Sequence, residues 1–319
     1  MKKFVDPFNN YPLIKKKDFF FNPRNIRKFH IKDSITIFAK ESYVNSFGDQ
    51  WNNFRKLQLD SYNKFSDSEN RLKRCARFDL ALIKSKNILE AGCGAGRFTE
   101  IFLKYGANVH SFDLSSAVFA NFITAKDAGA NENNYSICMA DINHIPFQNE
   151  SFEFVFCLGV LQHTPNTYDS LESLSKKLKK NGILVIDHYC HSVGNFTSLY
   201  LVWWFIIKRL KPIHQKKLCD ILVNLFFPIH WIFRKNRILS ILLRRISPIH
   251  FKYPDLDNSY KTLFNISRLV THDRNTDYYK RHISLKTLVN YLEKLGFKIN
   301  SAEYCGIGIE ISAVKIKEI

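Results

Sequence analysis

The segment from residue 87 to residue 99 constrains the fold of this chain more than any other. An apolar strand, Asn87 to Ala91, runs directly into three alternating glycines and then into helix-forming sequence. Glycines at positions 92, 94 and 96 allow a tight turn and a close approach of the backbone to a ligand, and the following helix offers unpaired N–H groups at its start. This arrangement predicts a nucleotide-binding loop between a strand and a helix.

The spacing of the glycines limits which nucleotides the loop is expected to bind. A dinucleotide-binding loop reads Gly-x-Gly-x-x-Gly, whereas this loop reads Gly-x-Gly-x-Gly and has an acid, Glu90, near the end of the strand. No Lys-Ser or Lys-Thr follows Gly96, so the loop lacks the cation and the hydroxyl that bind a triphosphate and its magnesium. The spacing therefore disfavours NAD, ATP and GTP.

Two further strand ends carry acids where a nucleoside would lie. Residues 108–114 read as a second strand, and Asp113 stands 21 residues after Gly92, a position from which a carboxylate accepts from both ribose hydroxyls. This acid alone fits NAD equally well. A third strand, residues 135–140, ends in Asp141-Ile142, where the carboxylate can accept from an adenine amine and the aliphatic side chain can cover the ring. The ends of three strands could thus contact a single bound adenosine.

The next residues continue the alternation of strand and helix. Residues 152–159 and 182–189 are apolar runs. A polar helical stretch over residues 167–180 separates them and ends at Asn181-Gly182, a predicted C-cap. The pattern in this stretch is a repeated strand–helix–strand alternation.

The motifs in this stretch are Ile88-Leu89-Glu90-Ala91-Gly92-Cys93-Gly94-Ala95-Gly96, Phe112-Asp113-Leu114-Ser115, Ala140-Asp141-Ile142, Leu158-Gly159-Val160-Leu161-Gln162-His163 and Lys180-Asn181-Gly182. Together they resemble class I S-adenosylmethionine-dependent methyltransferases, specifically the type 11 group. The resemblance covers about residues 85–190 and, more weakly, residues 280–319. It implies an α/β fold: a Rossmann-like seven-stranded sheet with helices on both faces and an antiparallel last strand. S-adenosylmethionine would lie across the carboxyl ends of the first strands.

The same resemblance implies a role for each loop and strand-end residue. Gly92 and Gly94 would border the methionine moiety of the cofactor, Asp113 the ribose, and Asp141 with Ile142 the adenine. Glu90 would help to hold the loop and the amino end of the cofactor. The full set of expected cofactor contacts is Glu90, Ala91, Gly92, Cys93, Gly94, Gly96, Asp113, Leu114, Asp141, Ile142 and Leu158. No two cysteines are spaced as Cys-x-x-Cys, so we expect no structural metal.

Methyl transfer is an in-line attack, so the enzyme must mainly align nucleophile and methyl group, and it needs a base only when the nucleophile is a hydroxyl. His163, just past the fourth strand, is the leading candidate for this base, and the alternative is that it only orients its loop by hydrogen bonding. Asp187, His188 and Tyr189 are second candidates. His282 is interpreted as a solvated side chain. No Asn-Pro-Pro-Tyr follows the fourth strand, which disfavours methylation of DNA or of protein amides.

The motifs occupy only the middle third of the 319 residues, which predicts a core with additions. Phe54 to Leu59 and Arg71 to Ile83 read as helices that could cover the cofactor. Residues 43–54 are also similar to the N-terminal region of bacterial methyltransferases from surface-polysaccharide gene clusters. The predicted organisation is a helical and aromatic extension (1–80), the cofactor-binding core (81–192), a helical insertion (193–280), and a helix and two strands that complete the sheet (281–319).

Seven cysteines are scattered along the chain, which suits a reducing compartment better than a disulfide framework. The basic residues at the start are not followed by an apolar stretch long enough for a secretory signal. These features predict a cytoplasmic protein, at the inner face of a membrane if the insertion binds lipid.

The insertion carries much of the basic charge. It has ten Lys or Arg and one acid between Phe196 and His250. Two apolar-aromatic runs, residues 198–207 and 221–233, each end in a basic cluster. Each run is shorter than the ~20 residues that span a bilayer, and we expect Pro212, Asp220 and Pro228 to interrupt them. Two interpretations stay open: a helical lid on the catalytic domain, or a segment that lies on an anionic membrane surface.

The net charge of +18 also raises the question of nucleic acid. Because Lys, Asn, Ile and Phe are all abundant, an AT-rich coding bias accounts for much of the charge, and ordinary solvated surface is favoured. The sequence thus predicts methyl transfer, preferably O-methylation, to a small or lipid-linked acceptor such as a surface-glycan component. The alternatives are an RNA or isoprenoid-quinone methyltransferase, and a non-catalytic cofactor-binding assembly factor. The sequence makes no prediction of the oligomeric state.

Overall fold

The computed structural model describes residues 4–40, 55–63, 66–191, 199–251, 259–306 and 308–317. The segment 43–54, singled out above, lies outside the described residues. The chain divides into two compact units: a core unit, Met1–Cys190 with Tyr279–Ile319, and a helical unit, His191–Tyr278. The helical unit occupies nearly the residues expected for the insertion.

The core unit is built on one 11-stranded sheet with the order β1-β2-β3-β4-β7-β6-β5-β8-β9-β11-β10. The strands are β1 (Ile14–Lys15), β2 (Phe19–Phe21), β3 (Lys28–Lys32), β4 (Ile35–Ile37), β5 (Asn87–Ala91), β6 (Asn108–Asp113), β7 (Tyr135–Met139), β8 (Phe152–Cys157), β9 (Leu178–Tyr189), β10 (Phe297–Cys305) and β11 (Gly308–Lys315). Within it, β7, β6, β5, β8 and β9 run parallel, while β11 is antiparallel to both β9 and β10. The seven strands from β7 to β10 therefore form the expected sheet, with its antiparallel last strand.

The helices, numbered along the whole chain, are α1 (Asp60–Asn63), α2 (Asp67–Ala76), α3 (Thr99–Lys104), α4 (Ala117–Asp127), α5 (Thr167–Lys177), α6 (Tyr200–Ile207), α7 (Pro212–Phe233), α8 (Arg237–Ile246), α9 (Tyr260–Thr276) and α10 (Leu285–Lys294). Short 3-10 turns cover Arg55–Gln58, Leu80–Ile83 and Leu161–His163. Helix α5 ends at Lys177 and β9 begins at the next residue, so the predicted cap at Asn181-Gly182 is wrong.

Helices cover both faces of the sheet, as expected, and each face has its own apolar core. Successive side chains of a strand point to opposite faces. Accordingly Val155 of β8 joins a cluster that includes α5 and α10, whereas Phe154 and Phe156 join a cluster that includes α2, α3 and α4. The central strands are buried on both sides, which explains why they read as nearly continuous apolar runs.

The first 80 residues were expected to be a helical extension, and this is wrong for residues 14–37, which form β1 to β4. These strands lengthen the sheet beyond β7, because β4 pairs in parallel with β7 through Thr36 and Cys138. The hairpin between β3 and β4 turns at Asp33 and Ser34, whose φ angles of 48° and 68° are left-handed. Such turns normally contain Asn-Gly or Asp-Gly. Because this turn is Asp-Ser, the sequence does not indicate a hairpin here. Among the described residues that precede β5, helices are confined to residues 55–83.

The helical unit contains α6 to α9. Leu222, Val223 and Phe227 of α7 form its core together with Phe251 and Leu263. The unit thus has a hydrophobic core of its own.

Asp220 and Pro228 do not interrupt the second apolar run as expected, whereas Pro212 stands at the break between α6 and α7. Helix α7 is continuous over 22 residues, with Pro212 in its first turn and the other two residues inside it. Proline is tolerated in a first turn, and beside Pro228 the ring of Phe227 lies 5.3 Å from that of Phe251, so tertiary packing offsets the lost hydrogen bond. Across the described ranges, no helix combines the length and the apolarity needed to cross a membrane.

Candidate cofactor-binding site

The glycine loop after β5 is bound to the end of β6. The backbone N–H groups of Gly92 and Cys93 both donate to the carbonyl oxygen of Phe112, at 2.8 and 3.1 Å. The N–H of Gly94 donates to Oδ2 of Asp113 at 2.9 Å. The loop and the acid expected to bind ribose are therefore in direct contact.

Two of the loop glycines are required by the protein's own packing. Gly92 has a φ of +70°, and a Cβ atom there would lie 2.2 Å from Cγ2 of Val160. Gly96 has a φ of +95°, and its Cβ would lie 2.9 Å from Cγ2 of Thr124. A larger residue at either position would clash and would also adopt an unfavourable backbone conformation. The glycines thus let the loop lie between the segment after β8 and helix α4.

The strand-end acids Asp113 and Asp141 lie at adjoining positions of the sheet. Oδ1 of Asp113 accepts from the N–H and the hydroxyl of Ser115, at 2.8 and 2.7 Å, which fixes the carboxylate. Burial raises the pKa of Asp113, and the hydrogen bonds oppose that rise. The N–H of Ala140, just before Asp141, donates to the carbonyl of Asp113 at 2.9 Å. Oδ1 of Asp141 accepts from the N–H of Asn143 at 2.8 Å.

The apolar residues expected to contact the cofactor are largely buried. Ile142 packs into the core cluster of one face, and Cys93 and Leu158 pack into the cluster of the other. Leu114 and Ala91 are buried as well. In this structure these side chains serve the protein core.

Glu90 is a buried acid beneath the loop, with only 3% of its surface exposed. Its Oε2 accepts from the hydroxyls of Thr99 and Ser111 at 2.5 and 2.8 Å. Among the described residues, Oε1 has no hydrogen-bond partner. Burial raises the pKa of Glu90 to about 7, and the negative charge of Asp113 adds to the rise. Both protonation states are accordingly populated near neutral pH.

A polar network from α4 holds the loop from behind. The side-chain amide of Asn121 donates to Oγ1 of Thr99 at 2.9 Å and to the carbonyl of Cys93 at 3.3 Å, and it accepts from the hydroxyl of Tyr135 at 2.6 Å. Thr124, one turn further along, donates to the carbonyl of Ala95 at 2.8 Å. Neither Asn121 nor Thr124 was among the residues predicted from the sequence. The available signal was two polar residues three apart in an otherwise apolar helix, which places them on one face.

His163 lies in the 3-10 turn after β8, close to aromatic neighbours. Its Nδ1 lies 3.2 Å from the carbonyl oxygen of Tyr279, and because a carbonyl only accepts, Nδ1 carries a proton. In the neutral ring the lone pair is then on Nε2. The ring of Tyr189 lies 5.5 Å from that of His163 and 5.8 Å from that of His282. His282 is half-buried in this group, which corrects its interpretation as a solvated side chain.

The segments that precede and follow the helical unit in sequence contact each other beside His163 and Tyr189. The N–H of Ile283 donates to the carbonyl of Tyr189 at 3.0 Å, and the N–H of Arg281 donates to that of Gln162 at 3.0 Å. The segment before α10 therefore lies against the ends of β8 and β9. Only the fold reveals this arrangement, because about 90 residues or more separate the partners in sequence.

Two of the three second candidates for the base, Asp187 and His188, have structural partners. Asp187 accepts from the N–H of Gly159 at 2.6 Å and forms an ion pair with Arg71 of α2. His188 contacts the carbonyl of Tyr189 through Nδ1 at 2.8 Å and the hydroxyl of Thr167 through Nε2 at 3.0 Å. Burial lowers the pKa of His188 to about 4, so the ring is neutral at physiological pH. The third, Tyr189, lies with His163 in the aromatic group at the strand ends.

Within the part of the chain that the structure describes, no three His, Cys, Asp or Glu side chains are grouped to hold a metal ion. All seven cysteines are among the described residues and all are free thiols.

Comparison with known proteins yields a family model and several relatives. Residues 89–186 match a family model described as a methyltransferase domain. A ubiquinone biosynthesis O-methyltransferase of Glaesserella parasuis serovar 5 is 26% identical over 132 residues, 39% of this chain and 54% of that protein. A tRNA U34 carboxymethyltransferase of Nautilia profundicola is 27% identical over 106 residues, 33% of this chain and 35% of that protein. The chain thus spans about half or less of these curated relatives.

A solved structure extends the likeness to most of the fold. Magnesium protoporphyrin IX methyltransferase from Synechocystis PCC 6803, solved with bound SAH, aligns over 86% of this chain and 97% of that chain, with a TM-score of 0.50 and 14% sequence identity. At this identity the likeness concerns the fold alone.

Proposed function

We propose that this chain, with its class I S-adenosylmethionine-dependent methyltransferase domain, transfers a methyl group from S-adenosylmethionine to a hydroxyl of a small or lipid-linked acceptor. The observation that carries the proposal is the contact between Gly94 of the loop and Asp113 at the end of β6. It joins the two elements that a nucleoside cofactor requires, a close-approach loop and a ribose-binding acid.

The acidic residues at this edge of the sheet are complementary in charge to the cofactor. S-adenosylmethionine carries positive charge on its sulfonium and amino groups, and Glu90 and Asp113 are two interacting acids at the loop. Asp113 would hold the ribose, Asp141 the adenine amine, and the loop with Glu90 the amino end. When bound, the cofactor supplies an electrophilic methyl group.

The lone pair on Nε2 of His163 supports O-methylation. A hydroxyl nucleophile must lose its proton as it attacks, and a neutral imidazole can accept that proton. The hydrogen bond from Nδ1 to the carbonyl of Tyr279 fixes the tautomer that this role needs. The relative named as a ubiquinone biosynthesis O-methyltransferase supports the same reaction class. A surface-glycan component is one acceptor within this proposal.

RNA methylation is the second candidate function. It is favoured by the relative named as a tRNA carboxymethyltransferase and by the net charge of +18. An RNA acceptor would give binding that weakens steeply with salt, whereas a small neutral acceptor would not.

The cofactor assignment is tested by calorimetric titration with S-adenosylmethionine and, separately, with NADH. We expect the wild type to bind the first and not the second, and Asp113→Ala to lose about tenfold or more in affinity because the ribose contacts disappear. Asp127→Ala, an exposed acid paired with Arg55, is the matched control and should bind as the wild type does. Binding of NADH alone, or unchanged affinity in Asp113→Ala, would overturn the assignment.

The reaction is tested with labelled S-adenosylmethionine and a panel of quinols, glycans and tRNA. His163→Ala should keep cofactor affinity and lower turnover by about 100-fold or more. Unchanged turnover would remove the base role of His163. Cofactor binding without transfer to any acceptor would favour the assembly-factor alternative.

A further inference from the structure

Exposed apolar side chains are concentrated in the helical unit. Of the 25 large hydrophobic residues that are exposed among the described residues, 15 lie between residues 199 and 246. Single exposed apolar residues are ordinary, but a dense set marks an interaction surface.

The exposed residues of α7 form a regular stripe. Ile221, Leu225, Ile229 and Ile232 recur every three or four residues, which places them on one face of the helix. The residues Leu222, Val223 and Phe227 point elsewhere and form the core of the unit. Helix α7 is thus apolar on its outer side as well as on its buried side.

Helix α8 has its apolar side exposed. A helix on a water-facing surface buries its apolar stripe. In α8 the residue buried is Ser240, while Ile238 is 72% exposed and Leu242 is 53% exposed. Ile238 and Leu242 are four residues apart and share a face. This orientation suits an apolar or interfacial environment.

Basic side chains follow the apolar runs along the chain, and several lie over aromatic rings at the ends of α6 and α7. Lys208 lies 3.8 Å from the ring centre of Trp204, and Arg234 lies 3.8 Å from that of Trp231. The one acid between residues 196 and 250, Asp220, is paired with Arg268. Aromatic and basic side chains together at the edge of an apolar surface are typical of the membrane–water interface.

We propose that the helical unit docks on an anionic lipid bilayer through the outer faces of α7 and α8, the interfacial surface. The bilayer accepts both components of this surface, because its acyl region takes apolar side chains and its headgroups take cations. A second copy of the chain would place exposed cations such as Lys235 and Arg237 near the same cations of its partner. A nucleic acid would pair the cations but leave the apolar stripe in water. Under this proposal the unit lies on the surface of the bilayer, with its apolar faces at the boundary between headgroups and acyl chains.

The test is flotation of the full-length protein with vesicles of neutral lipid and with vesicles that contain about 30% anionic lipid. We expect the wild type to float with the anionic vesicles, to float much less with neutral ones, and to be released by about 0.5 M salt. The variant Ile238→Ser/Leu242→Ser should lose about tenfold or more in partitioning, since two apolar side chains leave the bilayer. Lys235→Gln/Arg237→Gln should weaken binding to anionic vesicles only.

The matched control is Leu82→Ser/Ile123→Ser, which removes two exposed apolar side chains from the core unit. It should float as the wild type does. The proposal fails if the wild type does not bind anionic vesicles, or if the Ile238/Leu242 variant binds equally well. It also fails if sedimentation without lipid shows a dimer that this variant abolishes, or if the variant loses RNA binding. Titration of each variant with S-adenosylmethionine keeps this result separate from the cofactor assignment, because the serine variants should bind it unchanged.

Discussion

Replacing Glu90 by glutamine should make the stability of the protein less dependent on pH. In the folded protein burial raises the pKa of Glu90 to about 7, whereas the ordinary value is 4.5. Between these two values the unfolded chain holds an ionised Glu90 while the folded protein must keep it protonated. The wild type therefore loses stability as the pH rises through this window. At about 1.4 kcal/mol per pKa unit, the loss amounts to about 3 kcal/mol.

A glutamine side chain at this position would not titrate, and its carbonyl oxygen could still accept from Thr99 and Ser111. We therefore compare the free energies of unfolding of Glu90→Gln and the wild type by urea denaturation. As the pH rises from about 5 to about 8, the difference should shift by about 2–3 kcal/mol in favour of the variant. The control is Glu153→Gln. In the native protein partial burial raises the pKa of Glu153, but hydrogen bonds from Lys179 and from the N–H of Asn87 outweigh this effect and lower the pKa overall. Its titration lies below the measured range, so its difference from the wild type should stay constant. A constant difference for Glu90→Gln as well would refute the reasoning.

Two further predictions concern packing. Gly92→Ala should lower the free energy of unfolding by about 1–3 kcal/mol, because its Cβ would lie 2.2 Å from Cγ2 of Val160. Urea denaturation measures this, and adding Val160→Ala should recover the part due to the clash; no recovery would mean that backbone strain alone is responsible. Cys305 is half-buried and the other six cysteines are buried, so Ellman's reagent should modify one thiol in the native protein and all of them after unfolding. Rapid reaction of two or more native thiols would contradict this.

The sequence predicted the parts of the fold that rest on local signals. The strand before the glycine loop, and Asp113 at the end of the next strand, were evident because apolar runs and glycine spacing are properties of a few consecutive residues. The N-cap of α10 rests on the same kind of local signal, since Ser284 accepts from the N–H of Thr287 at 3.1 Å.

The parts that the sequence did not reveal depend on tertiary contacts or on unusual local chemistry. Asp33 and Ser34 make a hairpin turn without a glycine, so β3 and β4 were read as part of a helical extension. The place of His282 beside Tyr189 depends on contacts between residues on either side of the helical unit. Helix α7 continues through Pro228 because its neighbours pack into a core, and a propensity argument does not include that packing.

The hydrogen bond from Ile283 to Tyr189 makes the helical unit a replaceable module. The chain leaves the sheet at the end of β9 and returns to the same strand end, 3.0 Å from N–H to carbonyl. With respect to the sheet, the chain between Tyr189 and Ile283 is one long loop whose two ends are hydrogen-bonded to each other. The entropic cost of closing a loop grows only slowly with its length. A short turn or an unrelated domain could bridge these ends without changing the strand register. The scaffold can thus acquire or exchange what it carries here while its cofactor loop stays the same.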